Sequence, residues 1–158
     1  MMRNKNLIDR MMAWYRGNEY AVQLSLDIYA VAQIWDDLVD RDREVGRDEI
    51  TETFRRLIYT MPTNPFYATH AHELAPLMHD MMLQWMVANQ LESDQQPGDL
   101  EKAWMLRAGV YQVFVYIASL AVDSAWAAVV GVDIWRCYGE TLEEFIHEQQ
   151  HREGEQDA

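Results

Sequence analysis

The chain has 158 residues, a single cysteine (Cys137) and 26 acids against 13 Lys plus Arg, a formal charge of −13. That length makes one domain, large enough to bury a core without staples, and one thiol excludes an internal disulfide. The charge argues against direct nucleic-acid binding, which needs a basic face to displace counterions. It suits solubility, or an acidic decoy that occupies another protein's nucleic-acid groove.

Ten Met, six Trp and few Gly or Pro, with no alternating β-branched runs, predict an all-α fold. We expect a single-domain bundle of six or seven helices over residues 1–152, with 153–158 as a polar tail. Met1 to Arg10 is polar and charged, which predicts no secretory segment and a cytoplasmic setting.

In chain order, Leu7 to Arg16 suits a short leading helix stopped by Gly17-Asn18. The main helix runs from about Glu19 to Glu44, and its first half is apolar nearly all round, the pattern of a buried rod. Val22, Tyr29, Gln33, Asp36 and Asp40 form a line that leaves the interior and reaches carboxylates near the helix end, as at the mouth of a pocket. Asp48 is a fitting N-cap for a helix over about 49–60. Asn64 caps and Pro65 opens the next segment, which Pro76 divides into a short helix to about Ala71 and a longer one over 73–92.

Residues 93–98 are the clearest loop, and Asp99 caps a helix over about 100–121. From Ala108 to Val132 only Asp123 is charged, a length that could span a bilayer. Gln112, Ser119, Asp123 and Ser124 interrupt it and no Lys/Arg cluster flanks it, so we read a core helix and a turn at Asp123 instead of a membrane span. A last helix covers about 124–152, with candidate breaks at Gly131 or Gly139. Helices 19–44, 73–92 and 100–121 should form the centre, and the apolar abundance makes a helix-packed homodimer an open option.

The chemistry in this sequence gathers at Trp35-Asp36-Asp37-Leu38-Val39-Asp40. Three carboxylates at i, i+1 and i+4 on a helix end are costly unless neutralised, and a hard divalent cation is the usual neutraliser. Asp36-Asp37-x-x-Asp40 resembles the first aspartate-rich motif, DDxxD, of the isoprenoid and terpene synthases. The resemblance implies an all-α enzyme in which Asp36 and Asp40 ligate Mg²⁺, Asp37 assists, and the metal grips a substrate diphosphate. It covers five residues, in a chain much shorter than those synthases. No second motif is complete: Asp133 and Glu140 have the right spacing, but Val132 and Arg136 stand where Asn and Ser or Thr belong.

The order of a buried helix, Trp-Asp-Asp-Leu-Val-Asp, Asn-Pro-Phe-Tyr and further helices is similar to small all-helical proteins encoded by tailed bacteriophages. That implies a phage origin and the host cytoplasm.

Other motifs read as structural. His147-Glu148-Gln149-Gln150-His151 matches HExxH, but the apolar face of that helix lies opposite, so both histidines face water without a walled zinc site. His79-Asp80 lacks the histidines of a helical HD-type phosphohydrolase. Asp80 calls for a partner, either Arg107 or a metal shared with Asp36 and Asp40. Asp123 caps the following helix or, were two helices continuous, would be a buried acid and a second-site ligand. Cys137 lacks a local His for a nucleophilic role.

The functional expectation is a divalent-metal-dependent protein that binds or turns over a phosphorylated small molecule, with Asp36, Asp37 and Asp40 as ligands and Asp80 or Asp123 completing the site. The competing class is a non-enzymatic acidic interaction protein, such as a phage-encoded inhibitor of a host protein.

Overall fold

In the computed structural model, residues 4–156 are described. All the regular structure among them is helical. We number eight helices: α1 (Asn4–Trp14), α2 (Glu19–Asp40), α3 (Arg47–Arg55), α4 (Pro65–Asp94), α5 (Asp99–Arg107), α6 (Gly109–Ala121), α7 (Ser124–Arg136) and α8 (Leu142–Gln156). The α3 rod continues through a π-helical turn, Arg56–Thr60, and a final α turn, Met61–Thr63.

Eight replaces the expected six or seven because Pro76 fails to break a helix while two other sites do. Pro76 lies inside the 30-residue α4, on its exposed side. The carbonyl it leaves unpaired four residues back is that of His72, also exposed, so water satisfies it and the helix survives. The expected helix 100–121 is cut at Ala108, and the expected helix 124–152 is cut at residues 137–141, around the candidate break Gly139, while the other candidate, Gly131, lies inside α7. Thr141 restarts the chain as α8: its hydroxyl accepts from Glu144 N–H at 3.2 Å, and Glu144 Oε2 accepts from Thr141 N–H at 2.8 Å. α8 runs to Gln156, so residues 153–156 of the expected tail are helical and residues 157–158 lie outside the described part.

Local chemistry explains most of the ends. Gly17 takes φ +80, and Asn18 then caps α2 by accepting from Ala21 N–H at 3.0 Å. α2 stops at Asp40, four residues short of the expected Glu44, with Arg41 left-handed at φ 58. α3 begins at Arg47, one residue before the expected cap Asp48, and its cap is Gly46: Glu49 Oε2 accepts from Gly46 N–H at 2.9 Å. Asn64 is buried and accepts from the N–H groups of Phe66 and Tyr67, while its Nδ2 donates to Tyr20 O at 3.0 Å. One side chain thus caps α4 and pins it to the start of α2. Asp99 is the first residue of α5 instead of its cap, which is Gly98.

The main core joins Trp14 and Tyr15, Leu24 and Ile28 of α2, and Phe114 and Ile117 of α6. A smaller cluster, Ala88, Ala103 and Phe145, docks α8 against the α4–α5 hairpin. α4 is less central than its Leu/Met/Trp density suggested, since Met82, Leu83, Met86 and Val87 are exposed. α1 is tied to α7 by Asp133, whose Oδ2 accepts from Trp14 Nε1 at 2.7 Å and whose carboxylate pairs with Arg10. The Arg10 bond holds Asp133 below the usual carboxylate range.

No single helix among the described residues is long and apolar enough to cross a membrane. α5 and α6 together have the length and apolar composition of a span, but a 42° bend separates them. Val113, Phe114, Ile117 and Ala118 of α6 are spent on the core.

Candidate functional site

The end of α2 meets the middle of α4 and the end of α5. Trp85, Asn89 and Glu92 share one face of α4, at spacings of four and three. Gly109 lets α6 come in close: a Cβ there would stand 2.8 Å from Gln84 Oε1 and 3.3 Å from Met81 Cγ of α4. This close approach fixes the chain two residues after Arg107, and the guanidinium swings onto the acids.

Arg107 is the hub. Its side chain is only 13% exposed. It donates to Asp36 Oδ1 at 3.2 Å and to Asn89 Oδ1 at 2.6 Å, and it makes a two-pronged bond to Glu92, 2.8 Å at Oε2. Asp40 Oδ2 lies 3.4 Å away. Trp85 completes the arrangement, donating from Nε1 to Asp36 Oδ1 at 3.0 Å with its ring 5.2 Å from the guanidinium carbon. Burial still dominates the two aspartates: both are pushed above the usual carboxylate range, against the pull of Arg107. Burial opposes the charge of Arg107, but Glu92, Asp40 and Asp36 outweigh it and hold the guanidinium protonated.

The predicted site residues separate into two sets. Asp36 and Asp40 come together, and the exposed Asp42, two residues beyond Asp40 and paired with Arg152 at 2.9 Å, joins them so that one oxygen of each lies within 4.8 Å of the others. Asp37 is not in that group. It turns to the α2–α3 loop and accepts from Arg43 Nε at 2.8 Å, and Arg43 also grips Glu49. Asp80 is exposed and accepts from Gln84 Nε2 at 2.9 Å; neither Arg107 nor the aspartate group is its partner. Asp123 is the N-cap of α7, accepting from Trp126 N–H at 2.7 Å. His147 and His151 are both exposed, as their face predicted.

Tyr29, Gln33 and Asp36, the line foreseen on α2, border a cavity of about 230 Å³. Trp35, Trp85, Arg107, Tyr111, Tyr138 and Glu140 are among its other walls. Sequence reasoning missed Glu92, Asn89 and Asp42; it named Arg107 only as a partner for Asp80, and Glu140 only for its spacing from Asp133. A readable signal existed for two of them, because Asn89 and Glu92 put polar groups on the same stripe as Trp85.

A second hollow, about 470 Å³, lies between α2, α3 and α4. Leu38, Phe54, Leu57, Met78 and Met82 line it, with His79 as its one ionisable wall residue. Phe54 is 59% exposed and the neighbouring Ile58 72%, so this is an apolar surface open to solvent.

No protein family, curated protein or solved structure matches this chain.

Proposed function

We propose that the chain is a divalent-metal-dependent protein that binds or turns over a phosphorylated small molecule at the C-terminal end of α2. The observation that carries this reading is the convergence of Asp36, Asp40 and Asp42. With Glu92 they make four carboxylates served by two guanidiniums, since Arg107 contacts Asp36, Asp40 and Glu92 while Arg152 pairs with the exposed Asp42 at 2.9 Å; the excess is 4 − 2, two negative charges. Burial of such charge is costly until a cation balances it. The donors are all oxygens, which suits Mg²⁺ or Mn²⁺ better than Zn²⁺.

Asp36, Asp40 and Asp42 would hold the ion. Arg107 is committed to protein acceptors, so a phosphate would be held through the metal, which neutralises its charge and that of a leaving diphosphate. Asp37 serves on this reading to fix the α2–α3 loop that carries Asp42, through Arg43. Calorimetric titration of Mg²⁺ and Mn²⁺ tests it. We expect one saturable site that is lost in the double variant Asp36→Asn, Asp40→Asn. No binding to the parent chain rejects the proposal.

A second reading, a non-enzymatic interaction protein such as a phage-encoded inhibitor acting in the host cytoplasm, is favoured by the apolar hollow between α2, α3 and α4. It predicts no metal effect on stability, and a complex that Phe54→Glu abolishes.

A further inference from the structure

The cavity beside the aspartate group has walls of a particular kind. Five of its lining residues are aromatic: Tyr29, Trp35, Trp85, Tyr111 and Tyr138. Trp35 and Trp85 stand with ring centroids 4.3 Å apart, and Tyr111 and Tyr138 with theirs 5.6 Å apart. An aromatic face carries negative quadrupole density and attracts a cation laid against it.

The charged lining residues are Asp36, Glu140 and Arg107. The positive charge of Arg107 is spent on Glu92 and Asp40 as well as on Asp36, and neither of the first two lines the cavity. Among the described residues Glu140 has no basic partner in hydrogen-bonding contact. Its carboxylate has one hydrogen-bond neighbour among them, the Tyr138 hydroxyl at 3.2 Å, with the charge of Arg107 acting only from farther off, and that hydroxyl has a second acceptor in Trp104 O at 3.0 Å. One proton cannot serve both acceptors, so the half-buried Glu140 carboxylate is left short of donors. Trp104 Nε1 donates to Glu140 O at 3.1 Å, which fixes the loop between α7 and α8 and keeps this carboxylate at the wall.

We infer that this cavity is a binding site for a small organic ammonium ion, held between the tyrosine and tryptophan rings with its N–H groups on Glu140 and Asp36. The volume, about 230 Å³, is under the ~300 Å³ at which drug-sized sites begin, so the ligand is small. An anion is disfavoured by the carboxylates, and a neutral ligand leaves Glu140 unserved. The inference goes beyond the metal reading and does not rest on it, because the two sites share Asp36 alone.

The experiment is calorimetric titration of benzylammonium and of its neutral isostere benzyl alcohol into the full chain, at 150 mM salt to screen surface charge. We expect one saturable site for the ammonium, at least tenfold tighter than for the alcohol, weakened at least tenfold by Glu140→Gln. Asp42→Asn, outside the cavity wall, should weaken Mg²⁺ and leave the ammonium affinity unchanged. Equal affinity for the two probes, binding only through many weak sites, or an unaltered affinity in Glu140→Gln overturns the inference. Should Glu140→Gln unfold the chain, the comparison of the two probes on the parent chain still decides.

Discussion

Replacing Arg107 with Met tests the charge reasoning directly. The substitution keeps the aliphatic stem and removes the guanidinium, which leaves Asp36, Asp40 and Glu92 facing one another without a counter-charge. Removing one partner from a buried ionic cluster costs ~3–5 kcal/mol. Glu92 and Asp40 are well covered, at 11% and 14% side-chain exposure, but Asp36 at 35% keeps some solvent screening. We therefore take the lower end, about 3 kcal/mol, at neutral pH. For a chain of this size that corresponds to a fall in melting temperature of roughly 6–12 °C.

Urea denaturation followed by circular dichroism measures the first quantity and thermal melts the second. The same variant then reads out the metal. Three freed carboxylates should bind Mg²⁺ more tightly than the parent site does, and an ion at a hundred times its Kd returns about 2.7 kcal/mol. A loss under ~1 kcal/mol without metal would refute the claim that Arg107 carries the charge balance. A full loss that Mg²⁺ does not reverse would leave the hub standing and remove the metal proposal.

Three further outcomes are expected. Asp36 and Asp40, with Asp27 and Glu140, have carboxyls raised by burial, so the folded state holds their protons more tightly than the unfolded chain does. Stability should thus increase as pH falls from 7 toward the ordinary carboxylate range. It should fall only below that range, where the carboxylates held low in the folded chain are protonated: Asp133 by its bond to Arg10, Glu49 by its bond to Arg43 and Glu144 by the Thr141 N–H. A monotonic loss of stability from pH 7 downward in thermal melts contradicts this, and saturating Mg²⁺ should flatten the rise by favouring the ionised aspartates. Asn64→Ala removes the α4 cap and the bond to Tyr20 O together and should cost about 1–2 kcal/mol by urea midpoint; a cost under ~0.5 kcal/mol would show the cap to be idle. Phe54→Ser, at an exposed wall of the apolar hollow, should change stability by no more than ~0.5 kcal/mol while lowering self-association in sedimentation velocity. A large destabilisation would assign Phe54 to the core instead.

The legible parts of the fold were those set by short-range chemistry. Asn64-Pro65 announced the start of α4 because a cap and a first-turn proline act within three residues. Asp123 was readable as the cap of α7 for the same reason. The misread breaks depend on exposure, which a sequence does not display. Pro76 is harmless because His72 opposite it meets water, and Ala108 carries no breaking residue at all. The break falls beside Gly109, which lies against the Met81 and Gln84 side chains of α4.

The same division runs through the site. The line Val22, Tyr29, Gln33, Asp36 and Asp40 was visible because a helix repeats itself, and three of the five border the cavity, with Val22 buried in the core. What neutralises the aspartates was not visible. Arg107 lies 71 residues from Asp36 in the chain, and the two meet only because α4 and α5 fold back as a hairpin. A charged cluster at a helix end therefore states a demand for positive charge without naming the supplier. Here Arg107 and, at Asp42, Arg152 supply part of it, while Glu92 adds to the demand on Arg107 from the same side. The remaining imbalance gives the aspartate group a reason to bind a cation, and the unserved Glu140 gives the cavity a separate one.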